Sequence, residues 1–148
     1  MKSEVKITDD RLQITRLFDA PRPLVFSCWA QAEKLKQWTA CKDTAEVNVR
    51  MDFRVGGSFT QEMNIRGESL YSITGVYEEI VEPEKIVYSV NLGPATTRVT
   101  VEFFDQGERT KVVLTQVGFP DPSLVKIVSQ GTSESFDKLD QLLGVLAA

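Results

Sequence analysis

The strongest constraint on the fold is a run of short segments of period two that ends in one long amphipathic helix. After Trp38, apolar and polar residues alternate in six successive stretches: 47–51, 59–63, 70–80, 85–91, 96–105 and 110–117. Gly56-Gly57 separates the first two stretches, and three further turn sequences separate the last four: Glu82-Pro83-Glu84, Gly93-Pro94 and Gln106-Gly107-Glu108. Because consecutive short strands usually pair with each other, these six strands predict an antiparallel sheet.

The closing helix has clear signals at its beginning. Asp121 is a candidate N-cap, and Pro122 suits the first helical position because it has no N–H to satisfy there. Helical periodicity then continues to Leu146. One side of this helix is apolar: Leu124, Val128, Phe136, Leu139, Leu142, Leu143 and Leu146. Asp137, Lys138, Asp140 and Gln141 mark the opposite, solvated side. The pattern predicts a helix that packs one side against the sheet.

One strand and two short helices are predicted before the six strands. Leu12, Ile14 and Phe18 follow period two in residues 12–18, with Arg16 at the intervening position. Prolines at 21 and 23 end that strand. Short helices are expected over 23–30 and 32–38. Trp29 and Trp38, one in each, are interpreted as core residues rather than as a stacking platform for a ligand.

Composition and charge limit the partners of the chain. Its 148 residues fit one domain, and the net charge is −4 with lysines and arginines dispersed. Without a basic cluster, nucleic acid is not an expected partner. No apolar run approaches the roughly 20 residues that span a bilayer, so neither membrane insertion nor export is expected. A cytoplasmic location is the resulting expectation.

Cysteine and histidine content restricts the chemistry. Cys28 and Cys41 are interpreted as reduced, structural thiols. Histidine is absent from the sequence, which excludes Ser-His-Asp and Cys-His sites and the common zinc sites. A group of glutamates lies around one turn, at Glu78, Glu79, Glu82 and Glu84, and is interpreted as solvated. No metal site, no cofactor and no catalytic residue is assigned, and a binding role is favoured over an enzymatic one.

Several strings, in this order and spacing, resemble the activator of heat-shock-protein-ninety ATPase homologue family of the START-like (SRPBCC) superfamily. They are Phe18-Asp19-Ala20-Pro21, Val55-Gly56-Gly57-Ser58-Phe59, Gly75-Val76-Tyr77-Glu78-Glu79-Ile80 and Ser135-Phe136-Asp137-Lys138-Leu139. The resemblance implies a single START-like domain over residues 1–148 with an α+β helix-grip fold. In that fold a seven-stranded antiparallel sheet curls around the C-terminal helix, two short helices follow the first strand, and a cavity lies between sheet and helix.

Two positions depart from the family pattern. Gln31-Ala32 stands where relatives often have Asp-Pro, which weakens the cap of the second short helix. Gly131-Thr132 stands where relatives often have Gly-Trp in the long helix. The second departure replaces a large side chain with a small polar one.

The middle of the long helix is poorly suited to fill a core. Gly131, Thr132 and Ser135 are small or polar, whereas both ends of the apolar side are bulky. One interpretation is a pocket between helix and sheet that carries hydroxyl groups. The alternatives are that the helix begins nearer Gly131, or that large strand residues fill the space.

Alternation also assigns polar residues to the inner face of the sheet. Gln61, Tyr77, Tyr88 and Gln116 need hydrogen-bond partners if they are enclosed, which a ligand or water would supply. The alternatives are that a shifted strand register exposes them to solvent or that they bond to the backbone. The candidate ligand-binding residues are Trp38, Gln61, Met63, Tyr77, Tyr88, Phe103, Gln116, Val128, Thr132 and Phe136.

The sequence and the family resemblance together suggest three functions that can be tested. The first is binding of a hydrophobic or amphipathic small molecule in the cavity. The second, implied by the family resemblance alone, is a co-chaperone-like interaction with a heat-shock ATPase, with a role in the stress response. The third is a polyketide cyclase-like activity, since related START-like domains include such enzymes.

Overall fold

A computed structural model describes residues 3–40, 44–65 and 69–147 of the chain. Its strands are β1 (Glu4–Ile7), β2 (Arg11–Phe18), β3 (Thr44–Met51), β4 (Ser58–Ile65), β5 (Ser69–Val81), β6 (Lys85–Leu92), β7 (Ala95–Gln106) and β8 (Arg109–Val117). Its helices are α1 (Arg22–Ala30), α2 (Ala32–Leu35) and α3 (Pro122–Leu146). Cys41 lies outside the described residues.

All neighbouring strands pair antiparallel in one sheet of order β1-β2-β8-β7-β6-β5-β4-β3. The α+β helix-grip architecture expected from the resemblance is therefore confirmed. The described residues contain eight strands rather than seven, because Glu4–Ile7 pairs with β2 as an additional edge strand. All four residues of β1 are exposed, and the alternation of Val5 and Ile7 with Glu4 and Lys6 spans only four residues, the shortest length at which alternation indicates a strand.

Helix α3 lies across the inner face of the curled sheet, against β1 and β2. Its N-cap is the predicted Asp121, whose carboxylate accepts a hydrogen bond from the Leu124 backbone N–H at 2.9 Å. Phe136 on α3 is completely buried and meets the Phe18 ring edge-on at 5.5 Å between centroids. The apolar side of the helix thus contributes Phe136, Leu139 and Leu143 to the core, as its periodicity indicated. Leu146 is instead 39% exposed, and Val125, which the predicted set lacked, is completely buried.

The contacts of Arg16 show that the side of α3 predicted to be solvated is not entirely in contact with water. It follows the inward alternation of β2, and only 4% of its side chain is exposed. Its guanidinium donates to Asp137 at 2.6 Å and to Asp140 at 3.3 Å, which are residues of the side predicted to be solvated. An ion-pair network therefore fastens α3 to β2 beside the apolar core.

The short helices differ from their predicted lengths. Helix α1 begins at Arg22, and α2 ends at Leu35 rather than at Trp38. No side-chain hydrogen bond from Gln31 caps α2, in agreement with the missing Asp-Pro. Trp29 of α1 and Trp38, three residues beyond the end of α2, both still lie inside, each 4% exposed.

Candidate functional site

A pocket of about 250 Å³ lies between the middle of α3 and the inner face of the sheet. Val128, Gly131, Thr132, Ser135 and Phe136 form its helical wall. Helix α3 already begins at Pro122, nine residues before Gly131, so the alternative that the helix starts near Gly131 is wrong. A Cβ atom built on Gly131 would meet no atom within 4 Å. At this position neither the helix nor the sheet places a large side chain, as both do elsewhere in the core.

Aromatic rings form a second wall of the pocket. Trp29 and Trp38 meet in a T-shaped arrangement with centroids 4.6 Å apart, and Phe136 packs against both. The Trp38 indole N–H donates to the backbone carbonyl of Cys28 at 3.0 Å, which fixes the orientation of the ring. The two tryptophans are core residues and pocket-lining residues at the same time.

Polar side chains enter the pocket from strands β4, β6 and β8. Gln61 accepts a hydrogen bond from the Thr39 hydroxyl at 3.0 Å. Gln116, only 5% exposed, donates from Nε2 to the Thr97 hydroxyl at 2.9 Å. The side chain of Thr132 on α3 makes no hydrogen bond with the described residues. The register therefore keeps both glutamines on the inner face and does not turn them toward solvent.

Two tyrosines on the inner face are held in their neutral form. Burial raises the pKa of Tyr88 well above its ordinary value, and a hydrogen bond with Trp29 opposes the shift only in part. Burial also raises the pKa of Tyr77, with the nearby Tyr88 adding to the effect. Both phenols are protonated at neutral pH, as ordinary tyrosines are, and the raised pKa values extend that neutral form to more alkaline pH.

Eight of the ten candidate ligand-binding residues surround the main pocket: Trp38, Gln61, Met63, Tyr88, Gln116, Val128, Thr132 and Phe136. Tyr77 instead lines a smaller space of about 20 Å³ next to Tyr88. Phe103 lies deeper in the core, with its ring 5.2 Å from Phe26 and 5.1 Å from Trp29. Alternation of period two identifies the inner face but not how close a residue lies to the gap, which explains why these two lie apart from the others.

Sequence reasoning missed the segment Thr39-Ala40, which forms part of the pocket rim. The Ser135 hydroxyl donates to the Ala40 carbonyl at 2.6 Å, and the Lys138 ammonium donates to the Thr39 carbonyl at 3.3 Å. Ala40 has a φ of 74°, a left-handed backbone conformation that residues other than glycine adopt rarely. Nothing in the local sequence indicates this turn, because the bonds that hold it come from α3, about a hundred positions later.

The other candidate chemical groups are occupied by local partners. Glu78 pairs with Arg98 at 2.7 Å, and Glu79 with Lys85 at 3.5 Å, in agreement with a solvated acidic group. Burial raises the pKa of the Cys28 thiol to about 11, which keeps it protonated and unreactive.

Within the part of the chain that the structure describes, no helix is long and apolar enough to cross a membrane.

Comparison with known proteins gives a consistent family assignment. The profile of the family described as "Activator of Hsp90 ATPase homolog 1-like protein" matches residues 19–144. No curated protein sequence gave a match.

Solved structures share the fold at low sequence identity. A solution structure of an Arthrobacter aurescens protein has a TM-score of 0.85 at 16% identity, covering 95% of this chain and 91% of its own. A Rhizobium leguminosarum protein has a TM-score of 0.76 at 25% identity, covering 97% and 99%. A Plasmodium falciparum protein described as an HSP90 activator has a TM-score of 0.72 at 24% identity, covering 91% and 96%. Because the profile spans most of the sequence, the chain belongs to the Activator of Hsp90 ATPase homolog 1-like family, within the START-like superfamily.

Proposed function

We propose that this protein binds a hydrophobic or amphipathic small molecule in the pocket between α3 and the sheet. The observation that carries the proposal is the open space in front of Gly131, where an added Cβ would meet no atom within 4 Å. Well-packed cores leave few voids larger than a water molecule, so a gap of about 250 Å³ is unusual for a purely structural interior. Glycine also costs a helix interior about 1 kcal/mol relative to alanine, which a binding role would explain.

The size and lining of the pocket indicate the kind of guest. Its volume of about 250 Å³ lies near the lower end of the roughly 300–1,000 Å³ typical of small-molecule sites, so the guest is smaller than most drug-like molecules. Trp29, Trp38 and Phe136 offer ring edges and faces, and Leu114 and Val128 add aliphatic surface. Transfer of apolar area from water onto these side chains is the driving force for binding.

Filling the pocket from the helix tests the proposal. In Gly131→Leu the new side chain projects into the open space, so the affinity for 1-adamantanol, a compact apolar probe, is expected to fall at least about tenfold. Binding is measured by tryptophan fluorescence, because the two tryptophans of the sequence both line the pocket.

Gly144→Leu is the matched control on the same helix. A Cβ there also meets no atom within 4 Å, but Gly144 is exposed and does not line the pocket. The control variant is expected to bind the probe like the unmodified protein. Equal affinity of the Gly131→Leu variant and the control would rule out this pocket as the binding site.

Interaction with a heat-shock ATPase is a second proposal, supported by the family assignment and by the description of the Plasmodium relative. The expected result is that the immobilised protein retains a purified Hsp90-type ATPase and raises its rate of ATP hydrolysis. Failure of both binding and stimulation would remove this proposal and leave the small-molecule proposal untouched.

A further inference from the structure

A relay of hydrogen bonds fixes the orientation of the Gln116 amide. The Thr97 hydroxyl is 3.3 Å from the backbone carbonyl of Val90, and a carbonyl only accepts, so the hydroxyl donates to it. Thr97 therefore accepts from Gln116, whose Nε2 lies 2.9 Å away. Thr97 is 1% exposed, so water does not compete for this relay.

The relay leaves one polar atom of Gln116 for the pocket. With Nε2 held by Thr97, the carbonyl oxygen Oε1 has no hydrogen-bond partner among the described residues, although the side chain is 5% exposed and lines the pocket. Oε1 is not one of the fully enclosed side-chain atoms that lack a partner, so it remains open to the pocket, where water or a bound molecule can donate to it. Gln116 therefore presents to the pocket an acceptor of fixed orientation, which a bound molecule with a donor group can use in place of water.

The other side chains that line the pocket are uncharged. No aspartate, glutamate, lysine or arginine is among the described residues that line the pocket. Lys138 lies outside the lining, and its ammonium donates to the Thr39 carbonyl. An ionised ligand would lose its hydration here without gaining an opposite charge, which strongly disfavours its binding.

We propose that the guest is a neutral molecule with an apolar body and one hydroxyl or N–H group that donates to Oε1 of Gln116. This inference rests on the proposed binding function and specifies the class of its ligand. The apolar body packs against the aromatic wall, and the donor completes the chain that runs from Gln116 through Thr97 to Val90. A site built to pair with a donor discriminates against analogues that lack one.

Three adamantane derivatives separate the parts of the inference. 1-Adamantanol carries a donor, 1-fluoroadamantane has nearly the same shape without one, and 1-adamantanecarboxylate carries a negative charge. We expect the alcohol to bind roughly tenfold more tightly than the fluoride, and the carboxylate more weakly than either. Tryptophan fluorescence and calorimetry both measure these affinities without a label.

Two variants test whether the relay causes the preference for the alcohol over the fluoride. Gln116→Met keeps the length of the side chain and removes the acceptor, so alcohol and fluoride are expected to bind equally. Thr97→Val lies outside the pocket lining and releases the amide, so the preference is expected to shrink even if Gln116→Met folds poorly. Gln13→Met is the control: the Nε2 of Gln13 also donates to a threonine hydroxyl, that of Thr115 at 3.2 Å, but Gln13 does not line the pocket, so the variant should keep the preference for the alcohol.

The possible outcomes distinguish the two proposals. If none of the three compounds binds, the small-molecule function itself is overturned, and this inference with it. If alcohol and fluoride bind equally to the unmodified protein, or if both relay variants keep the preference, the donor assignment is overturned and the pocket proposal stands. Binding of the carboxylate as tightly as the alcohol would overturn the requirement for a neutral ligand.

Discussion

Gly75→Ala is expected to lower the free energy of unfolding by about 3 kcal/mol, which is among the largest effects of a single added methyl group in this protein. Gly75 lies on the inner face of β5 opposite Phe59 of β4. A Cβ atom there would lie 1.9 Å from the backbone carbonyl oxygen of Ser89 and 2.5 Å from the Phe59 ring. The ring has freedom to move, but the carbonyl belongs to the neighbouring strand β6, so the sheet itself would have to shift. Urea denaturation followed by circular dichroism measures the change.

Gly144→Ala provides the matched comparison for that substitution. The same methyl group is added where no atom lies within 4 Å, inside a helix that favours alanine over glycine. Its stability is expected to stay constant or to rise by up to about 1 kcal/mol. If both alanine variants unfolded at the same urea concentration, the close approach of β5 and β6 at Gly75 would not be a constraint on the fold.

The double variant Asp137→Asn with Asp140→Asn is expected to lose about 3 kcal/mol, the lower end of the range for a buried charge left without its partner. Arg16 is 4% exposed, its Nε has no hydrogen-bond partner among the described residues, and its two ion pairs with Asp137 and Asp140 compensate its charge. The lower end applies because Asp137 is 66% exposed and water screens the pair in part. Thermal and urea unfolding both report the loss.

Two controls test the cause of that loss. Arg16→Met removes the buried charge together with its need for a partner, so it should cost less than the double variant. Asp52→Asn breaks the exposed pair with Arg54, a contact of 2.7 Å whose members are 53% and 72% exposed, and should change stability by less than about 0.5 kcal/mol. A loss in the double variant no greater than that of Asp52→Asn would show that the Arg16 network contributes no more than a surface ion pair.

Local pattern identified most of the elements and their inner faces. The N-cap at Asp121, the turns between the strands and the inward positions of Gln61 and Gln116 all follow from spacing within a few residues. Strand β1 was missed because its alternation, Val5 and Ile7 with Glu4 and Lys6, spans only four residues, the shortest length at which alternation indicates a strand. The end of α2 was misplaced because Trp38 packs in the core without belonging to the helix.

The sequence alone determined the order of strands and helices from β2 onward, the side of α3 that is apolar, and the weak point at Gly131, because periodicity and side-chain size are local properties. Only the tertiary structure decided that Arg16 meets Asp137, that Thr97 orients Gln116, and that a gap of about 250 Å³ remains beside the helix. Those contacts join residues between 19 and 121 positions apart, whose meeting depends on strand register and on how the sheet curls. The gap is the small difference between the space enclosed by sheet and helix and the volume of the side chains that fill it, and no local pattern measures that difference.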